Sequence, residues 1–125
     1  MAVVDTYGGA PARIQDAQTP GNVDSTHTAS RQISDVIMGG AVVITSAIGA
    51  TPTVTVNIRG SVNGVDFFNV PYALVATPRT FVVTAITITT AVTTTYLLQE
   101  NVYCKYLKVV MSANTNVTLT TDVYL

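Results

Sequence analysis

The sequence predicts an all-β protein, an antiparallel jelly-roll-like β-sandwich of about eight strands behind an extended N-terminal arm. Threonine makes up about one residue in six, and valine and isoleucine are also frequent. These branched side chains suit a pleated strand better than a helix. Short alternating runs of apolar and polar residues are separated by Gly, Pro and Asn turn signals. No stretch of ten or more residues has a helical apolar period.

The first part of the chain differs from the rest, which predicts an extended arm at residues 1–30 and a β-sandwich domain at residues 31–125. The arm is rich in Ser, Thr, Asp and Gln, and Gly8-Gly9 and Pro20-Gly21 predict turns in it. Such a segment cannot bury enough apolar surface by itself to offset its ordering entropy. Its few apolar side chains allow two alternatives, an arm docked on a partner or a floppy terminus.

The domain is expected to contain eight strands, each bounded by turn signals. The strands are predicted at Gln32–Met38, Ala41–Ala47, Thr53–Val62, Val65–Val75, Thr80–Thr89, Val92–Leu98, Tyr103–Ala113 and Asn116–Tyr124.

One hairpin can be predicted in detail. Asn63-Gly64 is the strongest signal for a two-residue hairpin turn, because both residues tolerate positive φ. This register places Phe67 opposite Gly60, where the ring would cover the bare glycine. Pro71 lacks an N–H, so the returning strand is expected at a sheet edge.

The end of the chain predicts a second, half-buried hairpin with its turn at residues 113–115. The side chains that share the buried face are Leu107, Val109 and Met111 on the first strand and Val117, Leu119, Val123 and Leu125 on the second. Thr118, Thr120, Asp122 and Tyr124 form the outward set.

The Thr-rich run from Thr80 to Thr95 is uncharged and strongly β-prone, so it is expected to be central in a sheet or covered by a neighbouring subunit.

The charge content excludes some partners and favours others. Only 10% of residues are charged, against about 25% in an average soluble domain. The six Lys and Arg residues are scattered, which predicts no nucleic-acid binding. No apolar run approaches the roughly 20 residues of a membrane helix, and no membrane partner is expected. A surface so poor in charge is typical of one that ends up against other protein.

No arrangement of residues predicts catalysis, a metal site or a cofactor. His27 is the only histidine and lies among Ser and Thr residues, so it is expected to be a solvated loop residue rather than a general base. Cys104 is the only cysteine and is expected to be a small buried apolar residue. One His and one Cys cannot complete a zinc site, and no pair of acids stands out as a catalytic dyad. We therefore predict that the protein is not an enzyme and binds no cofactor.

Carbohydrate binding is the main alternative to a structural role. Sugar-binding β-sandwiches use aromatic platforms, but this chain has no Trp and its six Tyr residues are dispersed. Tyr103 and Tyr106 have opposite parity on a strand, so they cannot form one platform. Packing at protein interfaces, where Tyr is favoured, is the simpler interpretation.

Two segments resemble small β-sandwich proteins of tailed-phage virions. The stretch from Val54 to Val70, VTVNIRGSVNGVDFFNV, has a strand, Gly60-Ser61, the Asn63-Gly64 turn and the aromatic pair Phe67-Phe68. The closing segment from Tyr106 to Tyr124 is similar too, and the two cover about a third of the chain.

The resemblance implies a capsid decoration (cement) protein located on the virion surface. Its partner would be the major capsid protein or another shell protein, and it would form a homo-oligomer, with a trimer favoured. We expect a protein interface that includes Val4, Tyr7, Arg13, Ile14, Phe68 and Tyr72. The alternative is a carbohydrate- or receptor-binding module of a phage tail or fibre.

Overall fold

The computed structural model describes residues 12–18, 27–32, 36–37, 40–100 and 102–124, and their regular structure is entirely β. The strands are β1 (Ala12–Gln18), β2 (His27–Gln32), β3 (Val36–Ile37), β4 (Ala41–Ser61), β5 (Phe67–Asn69), β6 (Tyr72–Leu74), β7 (Ile86–Ile88), β8 (Thr93–Leu98), β9 (Val102–Tyr103) and β10 (Tyr106–Tyr124). Every pairing among them is antiparallel. The predicted all-β, antiparallel class is therefore confirmed, and the main sheet curls into a half-barrel.

Two long strands, β4 and β10, form the central part of the sheet, and we call this pair the β4–β10 ribbon. They pair from Tyr106↔Ser61 at one end to Tyr124↔Ala41 at the other. The sequence predicted two strands in each of these segments, with a break between Ala47 and Thr53 and a turn at residues 113–115. That prediction was wrong: the chain bends at both places and continues in the same strand.

Backbone geometry explains why these turn signals produce bends. Thr51, Ala113 and Asn116 have φ values of 45°, 50° and 54°, and the register shifts on both sides of Thr115. A positive φ combined with a register shift bends a strand and increases its twist. The bends in β4 and β10 lie opposite each other, so the whole ribbon folds over at this level.

The core lies on the inner face of the folded ribbon. Burial alternates along both strands, as the two-residue period of a strand requires. The buried apolar residues include Val42, Ile44, Val54, Val56 and Ile58 on β4 and Leu107, Val109, Met111, Val117, Leu119 and Val123 on β10. The predicted inward faces at the end of the chain are thus confirmed for the described residues, although the two halves do not form a hairpin.

The shorter strands line the two sides of the ribbon. On the β4 side, β8 pairs with residues 41–45, β7 with residues 54–56 and β5 with residues 59–61, and β6 continues the sheet beyond β8. On the β10 side, β1 and β2 pair with its two halves. Strands β3 and β9 form a separate pair.

The predicted strand at residues 65–75 is interrupted at Pro71, which separates β5 from β6. The amide of Val70 still donates to the carbonyl of Ile58, whereas the carbonyl of Pro71 accepts from Gln99. Within the described residues β6 ends the strand order of the sheet, which confirms the predicted edge position. The chain thus changes neighbours at the residue that has no N–H to donate.

The Asn63-Gly64 turn was predicted with the wrong length. Residues 62–66 form a five-residue loop, and the register is Ser61↔Phe67 and Gly60↔Phe68. Asn63 Oδ1 accepts hydrogen bonds from the amides of Val65 and Asp66, both at 2.8 Å, and this Asx geometry lengthens the turn. As a consequence Phe67 does not cover Gly60.

Gly60 instead faces the core. A Cβ at this position would lie 3.0 Å from Val70 Cγ2 and 3.2 Å from Cys104 Sγ. Phe67 instead lies beside Lys108, and the centroid of its ring is 4.4 Å from Lys108 Nζ.

Two stretches of the predicted arm are strands of the sheet. Ala12 of β1 aligns with Val123, and His27 of β2 aligns with Met111. Residues 1–11 and 19–26 lie outside the described part. The division into an arm at 1–30 and a domain at 31–125 stays a prediction.

Candidate protein interface

The residues predicted to form an interface are divided among several places. Val4 and Tyr7 lie outside the described residues. Arg13 and Ile14 belong to β1, at the opposite end of the strand order from β6. Phe68 on β5 is 39% exposed, whereas Tyr72 on β6 is buried at 8%. The four members that the structure describes therefore lie on three different strands.

The residues considered for chemistry have ordinary structural positions. His27 lies on β2. Cys104 is fully buried, and desolvation raises the pKa of its thiol to about 11. In the described part of the chain no three His, Cys, Asp or Glu residues are grouped so that they could hold a metal ion. The buried position predicted for Cys104 is confirmed.

A different group of side chains stands out, and it belongs to the chain segment that runs from the end of β6 to the start of β8. Ten large apolar side chains are exposed in the described part of the chain, and five of them fall between residues 74 and 92. These five are Leu74, Val75, Val82, Val83 and Val92, and we call them together the Leu74–Val92 surface. From Thr80 to Gln99 the sequence has no charged residue. Sequence analysis identified the uncharged run but did not foresee that these side chains would be exposed.

The backbone of this surface has few strand partners. Residues 75–85 contain only one isolated bridge, Tyr72↔Val82, and β7 adds three residues paired with β4. Ile86 and Ile88 are buried against the core, while Thr87 between them is exposed. Only the end of the Thr-rich run lies in an interior strand, since β8 lies between β4 and β6. The rest of the run is not a continuous strand, and the predicted strand at Thr80–Thr89 was too long.

Beside this surface lies a cavity of about 420 Å³. It lies where β6 and β8 of one half of the curled sheet approach β7 of the other. Its lining is entirely uncharged and includes Tyr72, Leu74, Val82, Thr84, Thr87 and Tyr96. Apolar side chains and threonine hydroxyls in such a cavity can accept a neutral group, and they offer no opposite charge to a charged one.

Two tyrosines pack against each other in the cavity wall. The rings of Tyr72 and Tyr96 meet edge to face, with centroids 5.4 Å apart and planes at 87°. The hydroxyl of Tyr72 donates to the carbonyl of Thr84 at 2.9 Å, which ties the cavity wall to the chain before β7. Burial raises the pKa of Tyr96, the Thr94 hydrogen bond partly opposes this effect, and Tyr72 adds to it. Both rings are largely buried, so neither offers an open face for stacking.

A buried serine anchors the other end of the same surface. Ser46 Oγ donates to the carbonyl of Thr90 at 2.7 Å and accepts from the amide of Val92 at 3.0 Å. At the β6 end, the amide of Thr77 donates to the carbonyl of Leu74 at 3.0 Å. These bonds hold exposed apolar side chains in fixed places, and a surface ordered in advance loses little entropy when it binds.

Comparison with known proteins gives no relative from which a role could be transferred. The chain matches no model of a known protein family, and no significantly similar protein was found among curated proteins or among solved structures. The described part of the chain contains no helix that is long and apolar enough to cross a membrane. The Leu74–Val92 surface and the cavity beside it are therefore the features on which a functional proposal can be based.

Proposed function

We propose that this chain is a non-catalytic virion structural protein that binds a capsid shell and stabilises it as a decoration (cement) protein. The observation that supports this most is the ordered group of exposed apolar side chains in the Leu74–Val92 surface, on a chain with only 10% charged residues. Exposed apolar side chains concentrated in one segment are typical of surfaces that other protein covers. The resemblance of two segments to tailed-phage virion proteins is the reason for proposing a capsid shell as the assembly that this chain binds.

In this proposal the mechanism is passive. Each copy bridges neighbouring shell subunits and adds contact area that must be lost before those subunits separate. A standard stable interface buries about 1,600 Å², and permanent ones are larger. Many copies on one shell also act together, so avidity is high even if single contacts are weak. The partner is the major capsid protein or another shell protein, and the location is the capsid surface.

The proposal includes self-association, with a trimer as the favoured stoichiometry. It also includes contacts from the N-terminal arm, through Val4, Tyr7, Arg13 and Ile14. The jelly-roll-like sandwich of about eight strands belongs to the same proposal, as a finer form of the curled antiparallel sheet.

Sedimentation with capsid shells tests the proposal. Shells assembled from candidate major capsid proteins are mixed with the purified full chain and pelleted, and the temperature at which the shells dissociate is measured. We expect the chain to pellet with its own shell and to raise that temperature. A chain that stays in the supernatant with every shell tested would contradict the proposal.

The cavity supports one alternative function, carbohydrate or receptor binding by a phage tail or fibre module. Its threonine hydroxyls and uncharged walls suit a neutral polar ligand, although the buried faces of Tyr72 and Tyr96 do not suit stacking on a sugar ring. A glycan array distinguishes the two functions. Binding of a defined glycan that is lost in Thr84→Val would favour the alternative, because this substitution removes a hydroxyl at the cavity while keeping side-chain size.

A further inference from the structure

We infer that the Leu74–Val92 surface is the site at which a second copy of this chain docks. The inference rests on the self-association included in the proposed function, and it names the surface responsible. Val75 and Val83, which are 60% and 51% exposed, would be covered in the contact. Removing apolar surface from water in this way is the main favourable contribution to most protein association.

The near absence of charge favours a second copy over a different protein. Near a symmetry axis each side chain lies close to its own equivalent, so charged residues there would face like charges. From Leu74 to Gln99 the chain has one charged residue, the exposed Arg79, and it has none from Thr80 onward. A surface made for a different protein has no such constraint, since opposite charges can pair across the interface and improve specificity.

The second edge of β7, which has no strand partner among the described residues, supports the same conclusion. Within the described residues β7 pairs only with β4. Protected sheet edges usually carry Lys, Pro or a bulge. Here the segment from Thr80 to Gln99 contains no Lys, Pro or Gly, and β7 itself has Thr87 at its exposed position. Threonines from two copies can lie against each other without repulsion and can exchange hydrogen bonds.

The test uses two single-cysteine reporters in the full-length chain, Val83→Cys on the surface and Val65→Cys as the control. Val65 is 78% exposed and lies in the β4–β5 loop, outside the Leu74–Val92 surface. The natural Cys104 is fully buried, so it does not compete for a bulky maleimide reagent. Labelling rates are measured at low and high protein concentration, and light scattering gives the mass under the same conditions.

We expect Val83→Cys to be labelled several-fold more slowly at concentrations where light scattering reports an oligomer, and dilution should restore the rate. Val65→Cys should be labelled equally fast throughout. Circular dichroism confirms that both variants fold, and Val75→Cys replaces Val83→Cys if that variant does not.

Three results would overturn the inference, and they differ in what they mean for the proposed function. An oligomer in which Val83→Cys stays fully reactive removes this surface from the contact but leaves self-association in place. A monomer at every concentration rules out both the inference and self-association. Protection of Val83→Cys only on capsid shells would assign the surface to the shell protein, which overturns the inference and supports the proposed function.

Discussion

The β4–β10 ribbon and the Leu74–Val92 surface are built from the same kinds of residue, yet they use them in opposite ways. In the ribbon, Val, Ile and Leu alternate with polar residues, and the apolar set is buried between the two halves. In the surface, Val and Leu are exposed, and the backbone from residue 75 to residue 85 is held by one bridge and a few turn hydrogen bonds instead of a continuous strand pairing. The comparison separates residues that stabilise the fold from residues that remain available for a partner.

The largest expected effect is a difference in unfolding free energy between alanine substitutions of two leucines, one from each region. Leu119 on β10 is 0% exposed and Leu74 is 46% exposed. Leu119→Ala should lower the free energy of unfolding by about 2–5 kcal/mol, because it leaves a cavity in the core. Leu74→Ala should change it by about 0.5 kcal/mol or less. Urea unfolding followed by circular dichroism measures both, and equal losses would contradict the division into two regions.

A second, smaller effect is expected at the bend of the ribbon. Buried Asn114 donates to the carbonyl of Val117 at 2.8 Å and accepts from its amide at 3.0 Å. Asn114→Ala should cost about 1–3 kcal/mol of unfolding free energy, since buried groups lose their partners. Asn63→Ala is the matched control, because Asn63 also accepts two backbone hydrogen bonds but is exposed, where water can replace them. A cost at Asn63 as large as that at Asn114 would show that the bend has no special role.

A pH effect is expected where Cys104 packs against Gly60 of the ribbon. Burial raises the pKa of the folded thiol to about 11, whereas an unfolded thiol has a pKa of about 8.5. The folded state therefore holds its proton more tightly, and this contribution is complete below the unfolded pKa. It is lost as pH rises from about 8.5 to about 11, by at most about 1.4 kcal/mol per pH unit.

Cys104→Ala removes this titration while the other titrating groups remain. Unfolding free energies measured from pH 8 to pH 11 should therefore fall less steeply in Cys104→Ala than in the unmodified chain. Parallel slopes would mean that the thiol is accessible in the folded state.

The smallest effect is expected at Ser46, which connects the two regions. Ser46→Ala removes the hydrogen bonds to Thr90 and Val92, and it should cost about 1 kcal/mol of global stability. The local effect should be clearer, because the amide of Val92 loses its acceptor. Hydrogen exchange should speed up more at Val92 than at Val109 in the ribbon, where only the loss of global stability acts. Equal acceleration at both amides would show that the surface is part of the core's cooperative unit.

Several features of the fold could be predicted from local sequence because they depend on local periodicity. The inward faces at Leu107–Met111 and Val117–Val123 follow from strict alternation, and both are buried. The edge position near Pro71 follows from a missing N–H. In each case the chain's own chemistry limits the backbone to one arrangement.

The continuity of the long strands could not be predicted in this way. The turn signals at residues 113–115 are compatible with a reversal or with a bend, and both use positive φ. The bend is formed because β4 pairs with β10 on both sides of it, which keeps the two halves of β10 in one strand. The Asn63-Gly64 loop is a smaller case, since side-chain hydrogen bonds added three residues to the expected turn.

Of the candidate interface, the sequence showed an uncharged β-prone run and left open whether the sheet or a neighbour would cover it. Which side chains would be exposed depended on how β6, β7 and β8 are placed around the ribbon, and this involves contacts between residues far apart in the chain.

The sequence alone therefore determined the β class, the alternation of the core and the low charge, because composition and a two-residue period act within a few residues. The tertiary structure decided that the ribbon bends, that Tyr72 and Tyr96 meet, and that the Leu74–Val92 surface remains exposed. These outcomes depend on the free energy of long-range packing, which no short segment of the chain contains.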